Sequence, residues 1–163
     1  MSLPVHKLKV VLVEPEIPQN TGNIARLCAA TGAQLHLVRP LGFFLSDKHF
    51  KRAGMDYLKQ VDLVVHDDLN ALMADIGNEP AAGLWFTSGL YGSPHWSVPY
   101  QPGDWVFFGK ESAGLPGSLL EAHRDRVVQI PMVEKTRGLN ISTAAGIVVY
   151  EALRRFASSP GPA

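Results

Sequence analysis

The chain has 163 residues, 46% hydrophobic and 18% charged, which suits one globular domain with a sizeable core. Fifteen Lys and Arg balance fifteen Asp and Glu, so binding to a polyanion must come from a local basic face. A lone cysteine, Cys28, excludes an internal disulfide or multi-cysteine zinc site, and the absence of a membrane-length apolar run or signal-peptide pattern makes the cytoplasm the expected compartment.

The first apolar run predicts a strand over Lys9–Val13. The polar turn EPEIPQNTGN then leads into a helix over Thr21–Ala30, with Gly32 placed for its C-cap. A strand over Gln34–Val38, a helix over Asp47–Ala53, a strand over Asp62–Val65 and a helix over Asp68–Ile76 follow. Further strands are expected over Gly83–Thr87, Asp104–Phe108 and Arg126–Pro131. Helices are expected over Pro116–Ala122 and Ser142–Phe156, the last capped by Asn140 or Ser142. Runs such as VVLV, LVV and WVFF are apolar on both faces, which points to an α/β fold with a parallel sheet covered by helices on both sides. Residues 1–157 read as one domain, and residues 158–163, SSPGPA, as a frayed tail.

Ligands of an open parallel sheet gather at the carboxyl ends of its strands. Three loops there carry unusual residues, and the Arg39–Phe50 region and the TSGLYGSPHW loop share the same edge. In the first, Asn20 has a composition suited to capping a helix, while Asn23 and Arg26 share one helical face. Arg26 alone reads better as a surface ion-pair partner. The second, GKESAGLPG, brings backbone close to a ligand through Gly109, Gly114 and Gly117, or is an ordinary strand-to-helix turn. It is no nucleoside-triphosphate loop, because Leu115 and Pro116 stand where Lys and Ser or Thr are required, and no G-x-G-x-x-G follows the first strand. PMVEKTRGLNISTAAG, the third, sets Glu134, Lys135 and Arg137 ahead of a helix whose Ala144, Ala145 and Gly146 permit close approach to another backbone. Six scattered histidines lack ligand spacing, so no metal is expected.

Taken in order, NTGNIARLCAATG, FFGKESAGLP and IPMVEKTRGLNIS resemble the SPOUT superfamily of S-adenosylmethionine-dependent RNA methyltransferases. Within it, EPEIPQNTGNIARLCAATG and the ending VVYEALRR resemble the short TrmL-type tRNA 2′-O-methyltransferases that act on the wobble nucleotide, cytidine or modified uridine. The resemblance spans about Val10 to Phe156 and implies a C-terminal deep trefoil knot within the α/β fold. It implies that S-adenosylmethionine is held by Phe86, Gly109, Ile130, Gly138, Leu139 and Asn140. Related chains often carry Ser where Gly138 stands and Asn where Thr143 stands; any contact made by that Ser hydroxyl would be absent here, while a backbone contact would survive. It also implies catalytic roles for Asn20 and Arg26 beside the acceptor ribose. Because a guanidinium keeps its proton, the role expected of Arg26 is to hold phosphate or ribose oxygens and stabilise developing alkoxide charge. Lys48, Lys51, Arg52, Lys110 and Arg137 are the cations expected on the RNA, and a homodimer is expected to complete the site. Two alternatives stay open: a methyltransferase of the same type acting on ribosomal RNA, and a non-catalytic nucleotide- or RNA-binding module.

Overall fold

A computed structural model describes residues 2–54, 57–78 and 82–158. The expected frayed tail lies outside them except for Ser158, which closes the last helix. In chain order the elements are β1 (Lys9–Val13), α1 (Pro18–Thr31), β2 (Gln34–Val38), α2 (Lys48–Gly54), β3 (Leu63–His66) and α3 (Leu69–Gly77). Then come β4 (Leu84–Thr87), β5 (Ser93–Pro94), β6 (Trp105–Phe108), α4 (Gly117–Ala122), β7 (Val127–Gln129) and α5 (Ile141–Ser158). The strands pair in the order β3-β2-β1-β6-β4-β7-β5, all parallel. Among the strands described, sequence reading missed β5, two residues at the sheet edge ending in Pro94, where a missing N–H disturbs no central ladder.

Successive strand residues face opposite sides, and here both sides are buried. Val10, Leu12, Leu35, Leu37, Val106 and Phe108 pack against Ile24, Ala25 and Cys28 of α1 and Val148, Val149, Ala152 and Leu153 of α5. Their neighbours Val11, Val13, Val38 and Phe107 face the other way, onto Leu72 of α3 and Leu120 of α4. Each fully buried side chain of this kind contributes about 1.5–3 kcal/mol. Burial pushes the Cys28 thiol up to about 12, so it behaves as a core hydrophobe and not as a nucleophile. Gly32 takes a left-handed conformation (φ 79°) at the end of α1, and its amide donates to the Cys28 carbonyl.

One buried polar cluster belongs to the fold alone. His36 Nδ1 and His66 Nε2 on β2 and β3 stand 2.8 Å apart, and His36 Nε2 meets Gln34 Oε1 at 2.7 Å. Burial, then the neighbouring His66, lowers His36 to about 4, so the pair is neutral at physiological pH. No helix of the described residues is long and apolar enough to cross a membrane, and no group of three metal-ligating side chains gathers among them.

Candidate functional site

β1 and β6 are neighbours, but α1 leaves β1 toward one face of the sheet and α4 leaves β6 toward the other. The carboxyl ends of such a strand pair open a crevice, and this one is cross-linked from both sides. Glu111, in the loop after β6, accepts from the amide of Glu16 at 2.9 Å, from that of Ile17 at 3.1 Å and from Asn20 Nδ2 at 3.3 Å. It thereby caps a helix that has no side-chain cap of its own. In return Glu16 accepts from the amide of Ser112 at 2.9 Å and its hydroxyl at 2.7 Å, and these bonds hold the Glu16 carboxyl below its usual range. The third loop joins through Asn140, whose Nδ2 donates to Asn20 Oδ1 at 3.0 Å and whose Oδ1 accepts from the Ser142 amide at 2.9 Å, capping α5. A continuous polar chain, Glu111–Asn20–Asn140, thus ties three loops that lie 91 and 120 residues apart in sequence.

Behind that chain lies a cavity of about 870 Å³. Its walls are Ile17 and Asn20, the Thr87–Tyr91 turn after β4, Gly109–Glu111 and Ala113–Leu115 after β6, Ile130 and Met132 after β7, and Gly138–Ile141 with Ala144 and Val148 on α5. Its lining is mainly apolar, with Asn20, Lys110, Glu111, Glu121 and Asn140 among the polar residues. A Cβ on Gly138 would meet nothing within 4 Å, so the backbone there is bare. Of the three non-glycine residues with positive φ among those described, Glu14 (φ 52°) and Lys135 (φ 61°) belong to loops of this edge. Backbone strain of that sort collects where geometry is functionally constrained.

The expected cofactor residues Gly109, Ile130, Gly138, Leu139 and Asn140 all line this cavity. Phe86 does not: it is fully buried on the opposite side, stacked between Phe107 at 4.7 Å and His123 at 4.6 Å, and its neighbour Thr87 faces the cavity instead. Asn20 is at the rim, but the idea that it caps α1 is overturned, because the helix starts earlier, at Pro18, and leaves Asn20 in its first turn. The reason for Gly109 also changes. A Cβ there would lie 1.9 Å from the Gly114 carbonyl carbon and 2.0 Å from the Leu115 nitrogen, so the loop itself, before any ligand, requires glycine.

The expected catalytic Arg26 stands outside the cavity, exposed on α1, with its guanidinium 5.1 Å from the centre of the Tyr57 ring. Packed beside α1 is α2, whose Lys48, Lys51 and Arg52 are exposed. Arg137 is exposed in the loop of residues 131–140, whereas Lys110 is half-buried at the cavity wall and paired with Glu14 at 3.3 Å. Sequence reasoning missed Glu111, although GKESAGLPG offered a carboxylate shortly before a helix start.

Known proteins resemble this chain in sequence and in fold. The SpoU rRNA Methylase family matches residues 7–150. A tRNA (cytidine(34)-2'-O)-methyltransferase of Escherichia coli strain K12 is 45% identical over 151 residues, 91% of this chain and 94% of the relative. One from Burkholderia ambifaria is 46% identical over 147 residues, 90% of this chain and 94% of its own. A solved structure concerned with 2-OH methylation of C/U34 on tRNA superposes with a TM-score of 0.89 at 41% identity, covering 96% of this chain and all of that one. The fold alone is shared with the SpoU methyltransferase AviRb from Streptomyces viridochromogenes, solved with AdoMet, at a TM-score of 0.84, 24% identity, 97% of this chain and 62% of that one.

Proposed function

The chain belongs to the SpoU rRNA Methylase family, and on that premise we propose that it methylates the ribose 2′-oxygen of the wobble nucleotide, cytidine or modified uridine, in a tRNA. The observation that carries this reading is the meeting of Asn20 and Asn140 at 3.0 Å on the rim of a glycine-walled cavity, joining three loops of the SPOUT pattern.

S-adenosylmethionine is the methyl donor in this reading, supplying a methyl group already activated on a sulfonium. The residues present suit it: 870 Å³ falls inside the range of about 300–1,000 Å³ typical of small-molecule sites, and most of the lining is apolar with bare backbone at Gly138. Gly109, Ile130, Gly138, Leu139 and Asn140 hold the donor, with Thr87 in the place expected of Phe86. Asn20, fixed from both ends by Glu111 and Asn140, orients the acceptor ribose. Arg26 holds phosphate or ribose oxygens through its planar fork and stabilises charge developing on the attacking oxygen. Alignment of this kind supplies much of the rate in an in-line displacement.

The terminal segment forms a deep trefoil knot. Supporting this, the chain leaves β7, two strands from β6, yet Asn140 reaches Asn20 and α5 packs on α1, a path that crosses the loops around the cavity. The working unit is a homodimer in the cytoplasm. Arg26 lies outside its own chain's cavity, and Tyr150 on α5 and Val133 in the 131–140 loop are 53% and 78% exposed, surface that a second copy covers. A monomer by sedimentation at micromolar concentration, fully active, would remove this part.

To test the function, the purified protein is incubated with labelled S-adenosylmethionine and a mixture of bulk tRNA and ribosomal RNA, and the modified nucleotide is mapped. A 2′-O-methyl group at the wobble position is expected. Label confined to ribosomal RNA, the acceptor that the family's name favours, would move the enzyme to that substrate. Binding without transfer to any RNA would leave only a binding module.

A further inference from the structure

Phe44, in the loop between β2 and α2, is a large aromatic side chain 81% exposed to solvent. Its loop is nonetheless built. Two residues earlier the Gly42 amide donates to the Pro15 carbonyl at 2.9 Å, and a Cβ at Gly42 would lie 2.7 Å from Glu16 Cα. Phe43 packs its ring 5.5 Å from that of Phe50, which is buried and anchors α2. The Asp47 amide donates to the Phe44 carbonyl at 2.8 Å and closes a turn around it. With one phenylalanine consumed as an anchor and the backbone held at both ends, the second is presented outward at a fixed place.

That place adjoins the site. Gly42 touches the β1–α1 loop, which forms the Ile17–Asn20 wall of the cavity, and two residues of chain span at most about 7 Å. The surroundings are basic. Between Arg39 and Gln60 the sequence holds five cations (Arg39, Lys48, Lys51, Arg52 and Lys59) against two carboxylates, Asp47 and Asp56, in a chain of zero net charge. Arg39 is partly neutralised by Asp67 at 3.5 Å, which leaves the excess on α2, where Lys48, Lys51 and Arg52 are exposed. An exposed aromatic ring beside a row of cations fits a single-stranded nucleic acid, whose bases stack while its phosphates pair.

We propose that Phe44 stacks on an unpaired base of the substrate RNA, in the loop that carries the acceptor ribose, while the α2 cations hold the flanking phosphates. The inference rests on the RNA-methylating reading above and adds a specificity contact to it. Stacking is tolerant of base identity, so Phe44 reads whether a base is unpaired and free to stack, and purines stack more strongly than pyrimidines.

The test uses the full chain and a synthetic anticodon stem–loop, with a set of stem–loops carrying one abasic position each outside the acceptor nucleotide. Binding is measured directly, so the answer does not depend on turnover. Phe44→Ala is expected to weaken RNA binding roughly 5- to 100-fold, with S-adenosylmethionine affinity and melting temperature unchanged. Phe44→Trp is expected to restore binding, and one abasic stem–loop is expected to bind wild type and Phe44→Ala equally. Equal affinity of wild type and Phe44→Ala for the intact stem–loop would overturn the proposal. So would a shift of Phe44→Ala from dimer to monomer with RNA affinity unchanged, which would assign the ring to a second copy of the chain. Wild-type protein that binds the stem–loop through Phe44 but transfers no methyl group would sink the functional reading and leave this contact standing.

Discussion

The cavity wall and the basic face of α1 and α2 lie at the same edge of one sheet but are built in opposite ways. Every polar group argued for at the wall has a partner: Asn20 is held by Glu111 and Asn140, Glu16 by Ser112, and Lys110 by Glu14. On the basic face Arg26 lies over the ring of Tyr57, and Lys48, Lys51 and Arg52 are exposed. The wall is organised before any ligand arrives, as a site for a small molecule should be. The face keeps its charges available, which suits a polyanion that brings its own partners and releases counterions on binding. The proposed reading, a donor pocket complete within one chain and an acceptor surface completed by RNA and a second copy, fits that contrast.

The sharpest way to break the comparison is at Arg26. If the basic face contributes to the reaction, Arg26→Ala is expected to lower methyl transfer 100- to 1,000-fold, a size typical of losing one charge-stabilising donor. Affinity for S-adenosylmethionine should stay within about twofold, because Arg26 is not in the cavity wall. Arg26→Lys should be nearly as poor, since an ammonium cannot reproduce the planar fork. Against this stands the alternative of an exposed cation on an aromatic ring, whose loss costs about 0.5–1 kcal/mol and leaves turnover intact. Single-turnover kinetics at saturating tRNA decides between them.

Gly109 tests the wall. Because an added Cβ meets backbone at 1.9 Å, Gly109→Ala must displace the Gly114–Leu115 segment, at a cost of about 3 kcal/mol, the upper end for overpacking. Cofactor affinity and melting temperature should therefore fall together. A variant of wild-type thermal stability that has lost the cofactor would mean that the ligand and not the loop needs this glycine.

Glu111 comes next. Glu111→Ala removes the cap of α1 and one of the two bonds on Asn20, and a lost cap costs about 1–2 kcal/mol. Denaturant titration should show that loss, and turnover should fall more than cofactor affinity if Asn20 orients the acceptor ribose as proposed. Glu111→Gln retains acceptor oxygen for one amide and should fall between the two. Full activity in Glu111→Ala would show that Asn20 is held by Asn140 alone.

The contrast between wall and face also decides what was legible in the sequence. Strands were readable to within a residue or two at their starts, because VVLV and WVFF carry their own signal and Gly32 marks its helix end. Phe86 shows the limit. A strand turns successive side chains to opposite faces, so a role carried over from the resemblance one position off exchanges a core ring for the cavity-facing Thr87. The true partners of Asn20 sit 91 and 120 residues away, and no local pattern reports a contact at that distance. Gly109 was legible as a glycine that matters but not as one needed by its own loop, which depends on how tightly Gly114 folds back. Cations were easy to find and hard to weigh, since Lys51 and Lys110 look alike until the Glu14 carboxylate appears beside one of them.

That pair yields the smallest expected effect. A cation that neutralises a phosphate contributes close to one unit to the slope of log affinity against log salt, about 0.9 on a duplex and 0.7 on a single strand. Lys51 is exposed on α2, so Lys51→Ala should weaken tRNA binding a few-fold and lower the slope by about that amount. Lys110 already has Glu14 at 3.3 Å, and side chains of both are about one-third exposed, 37% and 38%. Its charge is largely compensated before RNA arrives, so few counterions remain for it to release. Lys110→Ala should therefore leave the slope nearly unchanged. Adding Glu14→Gln to the wild-type chain should steepen it by freeing the ammonium. Salt titrations of tRNA binding for the three variants measure these slopes directly. Equal slopes for Lys51→Ala and Lys110→Ala would mean that RNA displaces Glu14 from Lys110, and the wall and the face would then be one continuous binding surface.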